Sequence, residues 1–267
     1  RAARSLMGDA AGEELAAVRE GGPKLLCLEV ASELAEGIAV VREIGGLVGG
    51  ASLLAADTAP AGLLAGRLGE GRWGFADVAV LFRTGRQGEL LEECFLREGL
   101  PYRLVGRESF LEEPPVRRAL AFMRFLADPQ DEYHLWRCLS EGRFGLSGSA
   151  RQRLREAGAE RGGLWPAVDE LVSDGGALRA QDRERLARFR EAVEAYREMA
   201  AGVGAEELLL RWQREEEVAE AAAESLARLC RVAGRFADLR SFLRGLALAQ
   251  EGDWERPGAR TGPDAVS

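Results

Sequence analysis

Apolar residues in the first part of the chain follow two different patterns. Nearly continuous apolar runs at 24–30 and 77–83 predict strands of the kind that is buried on both faces in a parallel sheet. Between them, residues 32–50 repeat apolar positions every three or four residues, which predicts a helix. A second helix is predicted at 88–99 and a short strand at 102–106. Strand, helix and strand at this spacing indicate a right-handed β-α-β unit.

The second part of the chain carries only helical patterns. After Pro114 and Pro115, amphipathic segments alternate with turns that contain Gly or Pro, and long helices are predicted at 179–201 and 217–249. The predicted fold class is therefore α/β, with a partial parallel sheet followed by an all-α region, and predominantly helical overall.

The composition is typical of a globular protein, since 46% of the 267 residues are hydrophobic and 30% are charged. The apolar runs are shorter than the 18 or so residues that span a membrane, and no signal peptide is visible. Because the chain begins with Arg1 rather than Met, we expect it to be a piece of a longer protein. The four cysteines are scattered without C-x-x-C spacing, which indicates free thiols and a reducing, cytoplasmic setting.

The charge pattern limits what can be inferred about nucleic acids. A net charge of −8 argues against a protein that coats DNA or RNA without a defined site, but not against a local site. Lys24 is the only lysine, and this bias reflects GC-rich coding, so abundant arginine does not by itself indicate DNA binding. His134 is the only histidine, which excludes a metal site with several histidine ligands.

The chain lacks the sequence elements of nucleotide hydrolysis. The glycine-rich segment GRLGEGRWG has no Gly-Lys-Ser/Thr ending, and no G-x-G-x-x-G follows a predicted strand. No acidic pair follows an apolar strand in the position where other proteins hold Mg²⁺. We therefore predict no catalytic residues and no bound cofactor for this chain alone.

Residues 77–139, which begin DVAVLFRTGRQGELLEECFLREGLPYRLVG, resemble the UvrD/Rep/PcrA-type superfamily 1 DNA helicases. That family carries a strand close to D-I-A-V-L-Y-R-T-N-x-Q and a helix close to L-E-E-x-L-x-x-x-G-I-P-Y-x-V-V-G. An F-F/L-E turn and an apolar helix that ends in D/N-P follow. The resemblance extends over the whole segment without a gap. It departs from the family at Gly85, where Asn is common, and at Pro115 and Arg118, where acidic residues are usual.

The resemblance implies an architecture and an activity. In that family two RecA-like motor domains bind ATP and Mg²⁺ between them, and a helical domain called 2B interrupts the second motor domain, 2A. Residues 1–128 would be a partial RecA-like 2A domain, 129–252 the helical 2B insertion, and 253–267 the return toward 2A. The full-length protein would be an ATP-dependent DNA helicase that moves 3′ to 5′. This chain would lack the Walker motifs and be inactive alone.

The resemblance also implies which residues contact DNA. Four residues at the predicted junction between strand and helix would contact, or support contact with, the backbone of single-stranded DNA: Arg83, Thr84, Arg86 and Gln87. A helix N-terminus attracts phosphates, but Thr84 is equally well explained as a helix cap and Arg83 as a surface residue.

Two further segments contain candidate DNA contacts. Arg107 and Ser109 are expected to reach a phosphate, whereas Phe110 is expected to be a core residue rather than a platform for a base. In the Gly/Ser loop GRFGLSGSARQRLR, the backbone and the basic residues would hold duplex DNA. The candidates in that loop are Arg143, Gly145, Ser147 and Arg151. Trp136, Trp165 and Trp212 are assigned to the core. The run Glu215, Glu216 and Glu217 is assigned to a solvated helix end.

Two other functions remain open at this stage. The acidic helical half could bind protein partners without enzymatic activity, or the chain could belong to a helicase subunit of a RecB/AddA-like helicase-nuclease. The expected partners are single-stranded and duplex DNA, the missing parts of the same helicase, and repair proteins, with no membrane.

Overall fold

The computed structural model describes residues 25–48, 73–106, 108–174, 176–216 and 220–250. Within these ranges the chain forms ten α-helices and three short 3₁₀ turns. The α-helices are α1 (Glu33–Val48), α2 (Gly85–Glu98), α3 (Pro114–Ala127), α4 (Glu132–Cys138), α5 (Gly148–Arg161), α6 (Leu164–Ser173), α7 (Ala180–Ala200), α8 (Ala205–Glu215), α9 (Glu220–Ala233) and α10 (Leu239–Gln250). The 3₁₀ turns are Phe75–Asp77, Phe110–Glu112 and Gly142–Phe144.

The predicted partial RecA-like parallel sheet, and with it the α/β fold class, is wrong. Residues 25–30 and 78–82 are extended but form no strand, and Tyr102 is an isolated bridge residue, so the described part of the chain has no sheet. Apolar composition favours the burial of a segment. A strand also needs a neighbouring backbone with which it can form hydrogen bonds. Leu81, at the centre of the best strand pattern, is 95% exposed.

The helix predictions next to these runs are confirmed. The helix predicted at 88–99 is α2, which starts three residues earlier because Thr84 and Gln87 cap it. It ends at Gly99, whose φ of 65° is the left-handed conformation that glycine adopts without strain. Helix α3 has Pro at its first position, where a missing N–H has no cost.

The core is centred on Phe122 of α3, whose side chain is fully buried. Its ring lies 4.5 Å from that of Trp212, 5.1 Å from that of Tyr196 and 6.2 Å from that of Phe189, measured between centroids. Tilted and edge-to-face pairs at these distances are favourable beyond the area that they bury. Residues before and after the predicted domain boundary at residue 128 therefore share one core.

The last two described helices, α9 and α10, pack on α2 and α3, which are distant from them in the sequence. Three arginines that follow one face of α9 and its C-terminal end pair with three glutamates of α2: Arg228 with Glu89, Arg231 with Glu93, and Arg235 with Glu98. We call this set the α2–α9 ion pairs. The domain boundaries at 128 and 252 stay predictions, and residues 253–267 lie outside the described residues.

All four cysteines are free thiols, as predicted, and three of them are buried. Cys94, Cys138 and Cys230 are buried free thiols, and burial raises the pKa of Cys94 and of Cys230 to about 11, so both thiols stay protonated at neutral pH. Cys27 is exposed, unlike the apolar face that its strand pattern indicated. In the described ranges no helix has the length and apolar character needed to cross a membrane.

Candidate nucleic-acid interface

The N-terminus of α2 is closed by a reciprocal pair of hydrogen bonds. The Gln87 amide N–H donates to Thr84 Oγ1 at 3.4 Å, and the Thr84 N–H donates to Gln87 Oε1 at 3.2 Å. The Arg83 N–H donates to the same Gln87 oxygen at 3.2 Å. The side chains of Thr84 and Gln87 therefore form a capping box that holds the turn in shape.

The two arginines of this turn are exposed. Arg86 Nη2 lies 3.3 Å from Glu33 Oε2, and the two side chains are 82% and 60% exposed. An ion pair this exposed contributes about 0–1 kcal/mol, so a phosphate can displace it at little cost. Arg83 has no ion partner within the described ranges. The turn thus presents two mobile cations on a rigid backbone at the positive end of a helix dipole.

A groove of about 640 Å³ lies beside this turn, between α1, residues 80–83 and α2. Its walls include apolar side chains such as Val80 and Leu91, together with the carboxylates of Glu33 and Glu36. A phosphate in the groove would meet these carboxylates, so the favourable place for an anion is the rim that carries Arg83.

The second candidate segment is tied to a buried carboxylate. The Ser109 hydroxyl donates to Glu92 Oε1 and accepts the Leu111 N–H at 3.1 Å, so it is committed to internal contacts. Arg107 lies outside the described residues. Phe110 is 1% exposed, which confirms its assignment to the core.

Arg143 is enclosed by aromatic and acidic side chains. Its guanidinium carbon lies 4.6 Å from the Phe144 ring centroid and 4.5 Å from the Trp212 ring centroid. Its nitrogens lie 3.2 Å from Glu215 and 3.6 Å from Glu216. Glu215 ends α8 and is exposed, as assigned, and both carboxylates also pair with this arginine.

Replacing Arg143 by Ala should destabilise the fold by about 1–3 kcal/mol, since two ring contacts are lost and Glu215 and Glu216 each lose one of their two arginine partners. Urea unfolding followed by circular dichroism measures this. Arg188→Ala is the control, because Arg188 is 67% exposed and pairs only with its helix neighbour Glu184. Its expected change lies within about 0.5 kcal/mol. Equal effects of the two variants would contradict the structural role of Arg143.

The Gly/Ser loop before α5 is held by hydrogen bonds to the carboxylate of Asp182. Ser147 caps α5, and its N–H and hydroxyl donate to the Asp182 carboxylate at 2.9 and 2.7 Å. The Gly145 carbonyl accepts from Arg185 Nη1 at 2.7 Å. A carboxylate thus lies where a phosphate was expected, and like charges repel there.

The Asp182 carboxylate makes the stability of this loop dependent on pH. Burial on its own raises the pKa of Asp182, but the hydrogen bonds from Ser147 and the charge of Arg185 outweigh it, so the pKa is lowered from its ordinary 3.8. A lowered folded-state pKa adds stability above the unfolded-state value, and this contribution is lost as the pH falls through the folded-state pKa.

We expect Asp182→Asn to be less stable than the unmodified chain at neutral pH, with the difference shrinking as the pH falls below about 4. Urea unfolding at a series of pH values measures the difference. Glu191→Gln, at an exposed position of the same helix, should show no such trend. A constant difference at every pH would contradict the assigned ionisation.

The remaining arginines near this loop are mostly engaged. Arg153 pairs with Glu156 at 3.1 Å and Arg161 with Glu170 at 2.7 Å. Arg155 lies 4.8 Å above the Trp136 ring. Arg151 is half-buried and has no ion partner in the described part of the chain. Of the four candidates in this region, Arg151 is thus the one whose side chain is left for a ligand.

Metal-ligating side chains do not cluster in the described residues. Within those ranges no group of three or more His, Cys, Asp or Glu side chains could hold a metal ion. The GRLGEGRWG segment lies mostly outside the described residues. The chemistry that these residues support is electrostatic binding of an anion.

Sequence reasoning missed Glu92 and Asp182, which hold the two candidate loops. For Glu92 a signal exists: Gly88, Glu92, Phe95 and Leu96 recur at helical spacing on the buried face of α2. An acid within an apolar stripe indicates a buried carboxylate with donors around it. Asp182 gives no such signal, since its partner Ser147 is distant in sequence.

Comparison with known proteins agrees with the resemblance noted in the sequence. Residues 17–163 match the family model of the UvrD-like helicase C-terminal domain. DNA helicase II of Escherichia coli is 30% identical over 121 residues, which is 45% of this chain and 17% of that protein. The ATP-dependent DNA helicase PcrA of Bacillus subtilis is 26% identical over 125 residues, 46% of this chain and 17% of that protein.

The aligned part of the chain spans about one sixth of the length of these relatives. The match includes the capped turn of α2, the Ser109 turn and the Gly/Ser loop. Since the family model covers more than half of the 267 residues, the chain belongs to the UvrD-like helicase C-terminal domain family.

Proposed function

We propose that this chain is the part of an ATP-dependent DNA helicase that contacts single-stranded DNA through the N-terminus of α2. The family membership supports a role in a helicase, and DNA helicase II and PcrA are the relatives that suggest DNA as the substrate. Translocation from 3′ to 5′ and the hydrolysis of ATP belong to this proposal for the longer protein, in repair or recombination. No step assigned to this chain requires a bound nucleotide.

The observation that carries the proposal is the capped turn at 83–87. Arg83 and Arg86 are exposed there, while Thr84 and Gln87 hold the backbone that carries them. Two cations on a fixed turn can follow the phosphates of a strand without reading its bases, as a translocating motor requires. Thr84 and Gln87 act as supports, and the arginines supply the charge.

Fewer residues support a duplex contact through the Gly/Ser loop than support the single-strand contact at α2. Gly145 and Ser147 are engaged by Arg185 and Asp182, and Arg143 is engaged by Trp212 and Glu215. We propose that Arg151 supplies the phosphate contact of this loop, and that the surrounding helices regulate unwinding.

The test is the binding of the chain to a labelled single strand of about 20 nucleotides, followed by fluorescence anisotropy. We expect binding that does not depend on sequence and that weakens steeply between about 50 and 200 mM salt. A blunt duplex of the same length is the control and should bind less tightly. No binding of the single strand at low salt, or binding that is insensitive to salt, would overturn the proposal.

A further inference from the structure

Glu92 is a buried carboxylate in the middle of α2, and its residue is 1% exposed. Glutamate is rarely buried unless other groups satisfy its charge. Two hydroxyl groups of the following segment reach it. The Tyr102 Oη–H donates to Glu92 Oε1 at 3.0 Å, and the Ser109 Oγ–H donates to the same oxygen. Hydrogen bonds to a charged acceptor are about twice as strong as neutral ones.

Ser109 links the Glu92 carboxylate to the backbone of the next turn. Its hydroxyl oxygen also accepts the Leu111 N–H and caps the 3₁₀ turn Phe110–Glu112. Phe110 and Leu111 are each 1% exposed, so the turn is anchored in the core. The segment between Tyr102 and Ser109 is therefore held at both ends by a single carboxylate.

We propose that Glu92 is a positioning residue for DNA contact, because it fixes Tyr102 and Ser109, the two ends of the connecting segment, relative to the N-terminus of α2. The inference rests on the proposed function. Glu92 lies two helical turns from the capped end, about 10 Å along the axis. One rigid helix, α2, thus carries both the turn at 83–87 and the segment that ends at Ser109. The two therefore keep a constant separation along a bound DNA strand.

The neighbouring residue provides a matched control. Glu93 is 3% exposed and lies on the same helix, but its carboxylate bonds to Arg231 and not to the segment 102–109. Replacement of either glutamate removes a buried carboxylate. Only the Glu92 substitution removes the anchor of the segment, so a loss of stability alone would appear equally in both variants.

The first measurement contains no DNA. Trypsin cleaves after arginine, and Arg103 and Arg107 lie between Tyr102 and Ser109 in the sequence. In Glu92→Ala we expect initial cleavage there to be about tenfold faster than in the unmodified chain, since local opening controls the rate. Glu93→Ala should leave this rate unchanged. Glu92→Gln keeps an acceptor oxygen and should restore most of the protection.

A second variant covers the case in which Glu92→Ala does not fold. The double variant Tyr102→Phe, Ser109→Ala removes the two donors and leaves the carboxylate in place. It should open the same cleavage sites. Normal protection of the segment in this folded variant would overturn the anchor.

The second measurement is the affinity for the labelled single strand. Glu92→Ala, or the double variant, should bind about fivefold more weakly, because the freed segment must be ordered again on binding. Glu93→Ala should bind within about twofold of the unmodified chain. An opened segment with unchanged affinity would overturn the positioning role. If the unmodified chain does not bind DNA, the proposed function fails together with this role, whereas the cleavage experiment still reports whether the anchor exists.

Discussion

Removal of both Arg83 and Arg86 should weaken the binding of single-stranded DNA about tenfold at low salt. Each arginine that neutralises a phosphate releases counterions, which contributes about 0.7 to the slope of log affinity against log salt for a single strand. The double variant Arg83→Ala, Arg86→Ala should therefore lose about 1.4 from that slope. Fluorescence anisotropy at several salt concentrations measures both quantities.

The control for this variant must lose the same charge elsewhere. Arg188 and Arg214 are exposed on α7 and α8, and Arg188→Ala, Arg214→Ala also removes two cations. We expect this variant to keep the salt slope, since general attraction by the protein field is weak in a chain of net charge −8. If both double variants lose the same affinity, the contact is not located at α2.

The largest effect on stability is expected for Phe122→Ala. Its ring is fully buried and contacts the rings of Phe144, Phe189, Tyr196 and Trp212. Truncation of a buried Phe costs about 3–5 kcal/mol, because apolar contacts are lost and a cavity remains. That is a large part of the total stability of about 5–15 kcal/mol of an ordinary domain. Urea unfolding measures the loss.

Tyr133→Ala tests whether this cost is specific to the core. Tyr133 is 67% exposed, and among the rings of the described chain it contacts only that of His134, in an edge-to-face arrangement. Its removal should change the free energy of unfolding by less than about 1 kcal/mol. A loss below about 1 kcal/mol for Phe122→Ala would mean that the aromatic cluster does not hold the helices together.

The helices and part of the core were predictable because their signals are local. The spacing of apolar residues in α2 and the Pro at the start of α3 each act within a few residues, and both predictions are confirmed. Phe110 was assigned to the core from its apolar neighbours and is buried. Family membership was also predictable, since the segment 77–139 carries a long ungapped pattern.

The predictions that failed depend on distant partners. The run 77–83 has the composition of a buried strand, but its pairing is a property of other segments. The DNA contact of Arg143 stays a prediction, but its acidic partner Glu215 lies 72 residues away and could not be foreseen from the basic loop. The sequence shows the charge of each residue but not which distant residue it meets in the fold.

The α2–α9 ion pairs have a consequence for truncated versions of the chain. A polypeptide that stopped before residue 220 would keep all of α2 but lose Arg228, Arg231 and Arg235. Glu93 would then lose its closest cation and keep only Arg97, at 3.7 Å. The three cross-helix ion pairs would be lost together with the packing of α9 against α2, so that α2 would be held less firmly. The helix that carries the proposed DNA contact therefore depends on a region more than 130 residues downstream, and expression boundaries need to include both.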